Sequence, residues 1–282
     1  MKRPRKIINK LSNKNGLVVS FSNYGARITS VKFKGQEIAR NGFISGRCAN
    51  RIANASFSLN GQEYQLDKNE GSNHLHGGRL GFAKKYWEVK NYSTSSICFS
   101  LHSPDGEMGY PGNLNIIVTY TLSDSNELVI EYHAVSDKDT ILNPINHLYI
   151  ANPNGSLSLS INASSYTEKG KDRIPTGRIL SVMDTKYDFR KAKKLLTNES
   201  YDVNYVLNDE GYRKVASLES DSVKVDLFTD RPGLQLYQTK KYVCLEAQMF
   251  PDAVHHPNFP SIIIKKNAAF YSKTAYHFNY FK

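Results

Sequence analysis

The sequence is poor in cysteine and lacks several common catalytic motifs. Its three cysteines, Cys48, Cys98 and Cys244, form no CxxC pair. Neither a disulfide framework nor a zinc knuckle is therefore indicated, and we expect reduced, buried thiols. The chain also has no GxxxxGK[ST] loop, no strand-linked GxGxxG and no GxSxG elbow. These absences argue against the commonest nucleotide-binding and serine-hydrolase functions.

Long apolar runs are missing as well. No stretch approaches the ~20 apolar residues of a membrane span, and no apolar run of signal-peptide length follows the basic N-terminus. We therefore expect a cytoplasmic protein without a membrane partner.

The charge balance is strongly basic. The formal net charge is +11, from 37 Lys and Arg against 26 Asp and Glu, and such a surface can attract nucleic acids or other polyanions. However, the lysines are spread along the chain, with only short clusters at residues 1–6 and 190–194. We favour a solvated basic surface and expect no nucleic-acid partner.

Alternating apolar and polar residues predict β-strands from end to end. The clearest segments are residues 17–22, 26–33, 97–103, 114–123, 127–136, 156–163 and 222–229. Asn60-Gly61 is the strongest hairpin signal, and residues 123–126 predict a second tight turn. No comparable helical periodicity is present, so the fold class is all-β.

So many antiparallel strands need two packed sheets or a closed barrel to bury their apolar faces. We predict a large antiparallel β-sandwich. No repeat, low-complexity tract or linker divides the chain, so we expect a single domain over residues 1–282. Residues 164–197 are the most irregular and predict a long surface excursion.

Several polar residues are candidates for a site. His74 and His76 would share one face of a strand, as two metal ligands could, but no third ligand is evident. Gly77 and Gly78 fit a turn better than a phosphate cradle. Arg47 and Arg51, with Asn50 beside the second, suit either recognition of ligand oxygens or a surface salt-bridge cluster.

His147 and Glu246 each lie in a predicted strand. An inward-facing strand carboxylate tends toward a raised pKa, which suits a general base near neutral pH. A glutamate and a histidine across a pocket could act as a base and an acid. The sequence does not fix on which strand face either side chain lies, so a solvated Glu246 and a structural His147 remain open at this point.

Taken together, eight segments resemble the aldose 1-epimerase (galactose mutarotase) family. They run in family order: GRCANRIANASFSLNGQEYQL, SNHLHGGRLGFAKKYW, SPDGEMGYPGNLNIIVTYTL, NPINHLYIAN, RIPTG with YDFR, YDVNYVLN, LQLYQTK and CLEAQMFPDAVHHPNFP. The resemblance implies a galactose mutarotase-like supersandwich with an open sugar-binding cleft. It also implies no metal and no cofactor.

The resemblance assigns roles to individual residues. Glu246 matches the general base and His147 the general acid of a reaction that interconverts the α and β anomers of a free hexose such as galactose or glucose. Substrate binding is implied for Asn50, Arg51, His76, Asp202 and Gln235. The expected partner is a small sugar, and the expected assembly is a monomer or homodimer.

The chain departs from the family pattern in a few places. Ile150, Ala151 and Asn152 follow Tyr149 where Phe-Asn-Leu is usual, Val203 stands where a histidine is common, and Ala83 replaces a frequent aspartate. We expect these changes to affect sugar preference more than chemistry. Two alternatives remain: a phosphosugar 1-epimerase, which the basic surface would suit, and a non-catalytic sugar-binding or regulatory protein on the same fold.

Overall fold

The computed structural model describes residues 6–152, 157–196 and 198–281. Within these residues the regular structure is almost entirely β-strand, which confirms the predicted fold class. The helical segments are single 3₁₀ turns at Ala53–Ala55, Phe82–Lys84, Glu107–Gly109, Lys171–Arg173 and Ala253–His255. No helix in this described part of the chain is long and apolar enough to cross a membrane.

Two large antiparallel sheets contain most of the strands, which we number in chain order. Sheet A has ten strands in the spatial order β1 (Ile8–Ser12), β2 (Leu17–Ser22), β3 (Arg27–Phe33), β4 (Gln36–Ser45), β14 (Ile145–Ala151), β23 (Tyr242–Gln248), β22 (Gly233–Gln238), β19 (Asp202–Val206), β16 (Ser165–Lys169) and β17 (Pro175–Ser181). Sheet B has nine, in the order β18 (Lys193–Lys194), β15 (Ser158–Ile161), β20 (Arg213–Glu219), β21 (Val223–Thr229), β25 (Phe270–Tyr280), β12 (Glu127–Ser136), β11 (Leu114–Leu122), β10 (Ser96–Ser103) and β9 (Glu88–Tyr92).

Short strands pair outside the two large sheets. These pairs are β5 (Arg51–Ile52) with β8 (His74–Leu75), β6 (Ser56–Leu59) with β7 (Gln62–Gln65), and β13 (Thr140–Ile141) with β24 (Ile263–Ile264).

The two large sheets pack face to face around one apolar core, as predicted for a sandwich. Alternate residues along a strand point to the same side, so in β11, for example, every second residue is apolar and buried. The ring of Phe21 on β2 lies 4.9 Å from that of Tyr120 on β11. The Tyr276 hydroxyl on β25 donates to the Leu245 carbonyl on β23 at 3.1 Å. These contacts join sheet B to sheet A through the core.

The predicted hairpin at Asn60-Gly61 is confirmed. Ser56–Leu59 and Gln62–Gln65 pair antiparallel across these two residues. Asn60 and Gly61 have φ of 52° and 77°, as a two-residue type I′ turn requires. The turn at residues 123–126 also forms, and it joins β11 to β12.

The interpretation of residues 164–197 as a surface excursion is wrong for residues 165–181. Ser165–Lys169 and Pro175–Ser181 pair with each other, and the first also pairs with β19 at the edge of sheet A. Only the residues rich in turn formers between them make the connection. Residue 197 lies outside the described residues.

The three cysteines are free, as expected. Cys48 and Cys244 are buried, but Cys98 on β10 is half-buried, so the expectation of burial is wrong for that residue.

Gly77 follows β8 in a tight turn, and we predict that it is essential for stability. Both Gly77 and Gly61 have positive φ, of 84° and 77°, so an alanine at either position costs about 1–3 kcal/mol in backbone strain. A Cβ on Gly77 would also lie 1.6 Å from the Gly46 carbonyl oxygen, whereas nothing lies within 4 Å at Gly61. Gly77→Ala should therefore lose a further ~1–3 kcal/mol of unfolding free energy.

Urea unfolding of the two alanine variants beside the unmodified chain measures this difference. Equal losses for Gly77→Ala and its matched control Gly61→Ala would contradict the close approach of Gly77 to Gly46.

Candidate functional site

A pocket opens on the face of sheet A that points away from the core. It contains all seven residues predicted for the site. Its lining comprises Phe43, Asn50, Arg51, Glu70, Leu75, His76, His147, Tyr149, Arg173, Asp202, Gln235, Tyr237 and Glu246. The cavity volume of about 270 Å³ lies just below the range of about 300–1,000 Å³ usual for drug-sized ligands. A ligand the size of one sugar ring suits it.

Strand alternation brings the pocket residues together. On β22, Leu234 and Leu236 point into the core, so Gln235 points the other way. On β23, Leu245 likewise enters the core and leaves Glu246 in the pocket. The antiparallel register then sets Gln235 directly opposite Glu246. Two neighbouring strands thus place the Gln235 amide and the Glu246 carboxyl side by side in the pocket.

His147 and Glu246 meet at the bottom of the pocket. The distance from His147 Nε2 to Glu246 Oε1 is 3.4 Å, and the exposed fractions of the two residues are only 5% and 2%. Burial raises the pKa of Glu246 to about 8, and the negative charge of Asp202 adds to this shift. Burial lowers the pKa of His147 to about 4. Between these values the pair holds one proton, mainly on Glu246. Once that proton passes to His147 across the 3.4 Å contact, Glu246 can accept a proton while His147 donates one.

Aromatic rings hold the His147 imidazole in place. Phe43 and Tyr149 stack on it, with ring centroids at 5.0 Å and 4.8 Å. Tyr237 meets it edge-on at 6.1 Å. These flat surfaces limit the rotation of the imidazole, so Nε2 stays directed at Glu246.

His76 is held as a neutral hydrogen-bond donor. Its Nδ1 accepts the backbone N–H of Asn50 at 3.2 Å and lies 2.9 Å from the Ser45 hydroxyl. A backbone N–H can only donate, so the ring proton must be on Nε2. Burial, together with the nearby His147, lowers the pKa of His76 to about 3. At neutral pH, His76 therefore offers an uncharged N–H.

Arg51 forms a two-pronged ion pair with Glu70. Its Nε and Nη2 donate to the two Glu70 carboxylate oxygens at 2.6 Å and 2.7 Å. Such bidentate geometry fixes the plane of the guanidinium. Arg51 is therefore oriented before any ligand binds.

Asp202, Gln235 and Asn50 form a hydrogen-bonded chain across the pocket. Gln235 Nε2 donates to Asp202 Oδ1 at 2.6 Å, and Asn50 Nδ2 donates to Gln235 Oε1 at 3.2 Å. Gln248, which is fully buried, also donates to Gln235 Oε1, at 3.3 Å. Because Oε1 faces two donors, the orientation of the Gln235 amide is fixed.

Arg47 and His74 serve the scaffold. Arg47 is buried and donates to backbone carbonyls of residues 103, 104, 111 and 112. His74 Nδ1 lies 2.7 Å from the Asp67 carbonyl, and its Nε2 lies 2.6 Å from the Tyr110 hydroxyl. Both nitrogens of His74 are thus engaged within the protein. Among the described residues, no group of three or more His, Cys, Asp or Glu side chains is placed to hold a metal ion.

Sequence reasoning missed several pocket residues. Tyr149 and Tyr237 lie two positions after His147 and Gln235 on the same strands, so strand parity could have found them once those two were placed. Glu70, which pairs with Arg51, comes from a separate loop and has no local signal. Sequence reasoning also missed Lys169, which contacts the pocket residue Asp202 from outside the lining and lies in the segment that we interpreted as a surface excursion.

The departures from the family pattern near His147 and Asp202 do not line the pocket. Ile150 and Val203 point into the core between the sheets. Asn152 is buried and accepts the Leu157 backbone N–H at 3.3 Å. These residues therefore do not contact the pocket directly. Any effect of theirs on sugar preference would have to act through the position of the strands that contain them.

We predict that the Tyr110–His74 contact is structural. Tyr110→Phe leaves a buried imidazole nitrogen without its partner and should cost about 1–3 kcal/mol of unfolding free energy. The control Tyr64→Phe removes an exposed hydroxyl contact to Gln62 and should cost little. Urea unfolding measures both losses. A rise in melting temperature on adding zinc would instead show that His74 is available to a metal.

Comparison with known proteins identifies the family. The family model described as aldose 1-epimerase matches residues 8–277. An aldose 1-epimerase from Haemophilus influenzae is 32% identical over 95% of this chain and 94% of its own length. A galactose mutarotase from Bos taurus is 35% identical over 84% and 78%, respectively.

A solved structure agrees with these sequence matches. The crystal structure of an aldose epimerase homologue from C. elegans superposes with a TM-score of 0.93 at 25% identity, covering 99% of this chain and 100% of that one. The chain therefore belongs to the aldose 1-epimerase family and is an isomerase that acts on carbohydrates.

Proposed function

We propose that this protein, as a single domain, interconverts the α and β anomers of a free hexose such as galactose or glucose. Glu246 is the general base and His147 the general acid. The observation that carries the proposal is the buried contact of 3.4 Å between these two side chains in the pocket. A protein that only binds sugar needs no such matched pair.

The reaction opens and recloses the sugar ring. Glu246 takes the proton from the hydroxyl on C1 while His147 donates a proton to the ring oxygen, and the bond between C1 and that oxygen breaks. The resulting aldehyde rotates about the C1–C2 bond and is attacked on its other face. The two residues then exchange roles, so the proton that each lost or gained is restored. Each positioned proton transfer contributes about 10²–10⁴ in rate.

The other predicted residues bind and orient the sugar. His76 offers an N–H, Arg51 a fixed guanidinium, and Asp202, Gln235 and Asn50 a chain of hydrogen-bonding groups. Sugar hydroxyls both donate and accept, so this mixture suits them. Holding the ring in one orientation supplies the positional part of catalysis.

The charges of the pocket favour an uncharged sugar over a sugar phosphate. Arg51 is paired with Glu70. Lys169 and Arg173 both face Asp202, at 2.9 Å and 3.6 Å from its Oδ2. A phosphate would therefore have to compete with Glu70 for Arg51 and with Asp202 for the two cations that share it.

The first test is polarimetry of freshly dissolved α-D-galactose and α-D-glucose. Glu246→Gln and His147→Asn should each lower kcat by about 10²–10⁴, because each removes one proton transfer. The exposed residues Glu88 and His102 provide the matched controls Glu88→Gln and His102→Asn, which should retain full activity. A chain that acts only on hexose 6-phosphates would be a phosphosugar epimerase. If the chain accelerates the conversion of no sugar tested, the alternative of a non-catalytic sugar-binding protein takes its place.

The second test is the pH dependence of kcat/KM, which should be bell-shaped. Below about pH 4 both His147 and Glu246 are protonated, so the base is lost. Above about pH 8 both are deprotonated, so the acid is lost. Measurements from about pH 3.5 to 9.5, each corrected for the rate in buffer alone, give the profile. A flat profile would show that the rate does not depend on whether the pair holds a single proton.

A further inference from the structure

Lys169 contacts the pocket residue Asp202 from the edge of sheet A. It is the last residue of β16, the strand next to β19 in the sheet. Its ammonium lies 2.9 Å from Asp202 Oδ2 and also contacts the Asp202 backbone carbonyl. The exposed fractions of the two side chains are 26% and 19%. This ion pair is therefore shielded from water on most sides, which strengthens it relative to a surface pair.

Asp202 links this ammonium to the catalytic pair. Its Oδ1 accepts Gln235 Nε2 at 2.6 Å, and Gln235 stands opposite Glu246 in the strand register. Under the proposed function this carboxylate binds the sugar, but its negative charge opposes ionisation of the buried Glu246. A base that cannot ionise cannot take the C1 proton.

We propose that Lys169 is a positioning residue for the anomer exchange: it holds the Asp202 carboxylate in place and offsets its charge, so that Glu246 can act as the base. The proposal rests on the proposed function. Lys169 acts through Asp202 and does not itself contact the reacting atoms.

Other charged and titratable groups face Glu246, and their contacts explain why Lys169 is decisive. These groups are His76, His147, Asp202, Lys169, Arg51, Glu70, Arg173, Tyr149 and Tyr237. Arg51 is already neutralised by Glu70. Arg173 is 64% exposed and lies 3.6 Å from Asp202, so solvent screens it. Lys169 is the cation in closest contact with Asp202, and its charge favours a lower pKa of Glu246, against the larger effect of burial.

The test compares Lys169→Met with Lys169→Arg. Without the ammonium, the alkaline limb of the kcat/KM profile should move up by about one pH unit, a typical effect of one nearby charge. The ionised Glu246 then becomes about tenfold rarer at neutral pH, so kcat/KM should fall about tenfold at pH 7, mainly through kcat. Lys169→Arg keeps the charge and should restore both values. The double variant Lys169→Met/Asp202→Asn removes both charges, so its limb should return near the original pH even though sugar binding is weakened.

Lys265→Met is the matched control, because Lys265 forms an equally close pair with Asp139 on the exposed surface, at 2.8 Å. It should leave the profile unchanged. If Lys169→Met lowers activity without moving the limb, the residue has only a structural role and the proposal fails. An unchanged Lys169→Met enzyme also overturns it.

A second measurement separates failure of this proposal from failure of the proposed function. Carbon-13 NMR of labelled glutamate carboxyls follows the titration of Glu246 directly, with its signal assigned by its absence in Glu246→Gln. The pKa of Glu246 should be about one unit higher in Lys169→Met, whether or not any sugar is turned over. No acceleration by the unmodified chain would reject the anomer exchange, whereas equal titrations in the two chains would reject the role of Lys169.

Discussion

The pocket depends on one costly arrangement, the burial of a carboxyl group beside an imidazole. Burial disfavours the charged form of each group. It therefore raises the pKa of the Glu246 carboxyl and lowers that of the His147 imidazole. The pair is stable because it can hold a single proton and carry no net charge. The same arrangement prepares the pair to move protons, because near neutral pH it holds one proton that can pass between the two groups.

The apolar core of the sandwich offsets the free-energy cost of burying this pair. Apolar residues such as Leu234 and Leu245 fill the inner face of sheet A, and strand alternation turns their neighbours Gln235 and Glu246 to the outer face. The core thus supplies the stability, while the opposite face supplies the chemistry. Phe43 and Tyr149 then stack on the His147 ring and shield it from water.

Ion pairs orient the charged side chains of the pocket. Glu70 fixes Arg51, and Lys169 fixes Asp202. The residues that distinguish this chain from the family pattern near His147 and Asp202 point into the core, so packing rather than sugar contact accounts for Ile150 and Val203.

The sequence by itself determined the all-β class, the seven clearest strands and the Asn60-Gly61 turn, because these follow from local alternation and turn chemistry. The ordered motifs also named seven residues that the fold brings into one pocket. Only the tertiary structure decided which strand face His147 and Glu246 occupy, because parity in an alternating strand is set by packing against the other sheet. The ion pairs of Glu70 and Lys169 were likewise hidden, since Glu70 lies 19 residues from Arg51 and Lys169 lies 33 from Asp202. Contacts over such separations depend on how the chain folds back on itself, which local sequence does not encode.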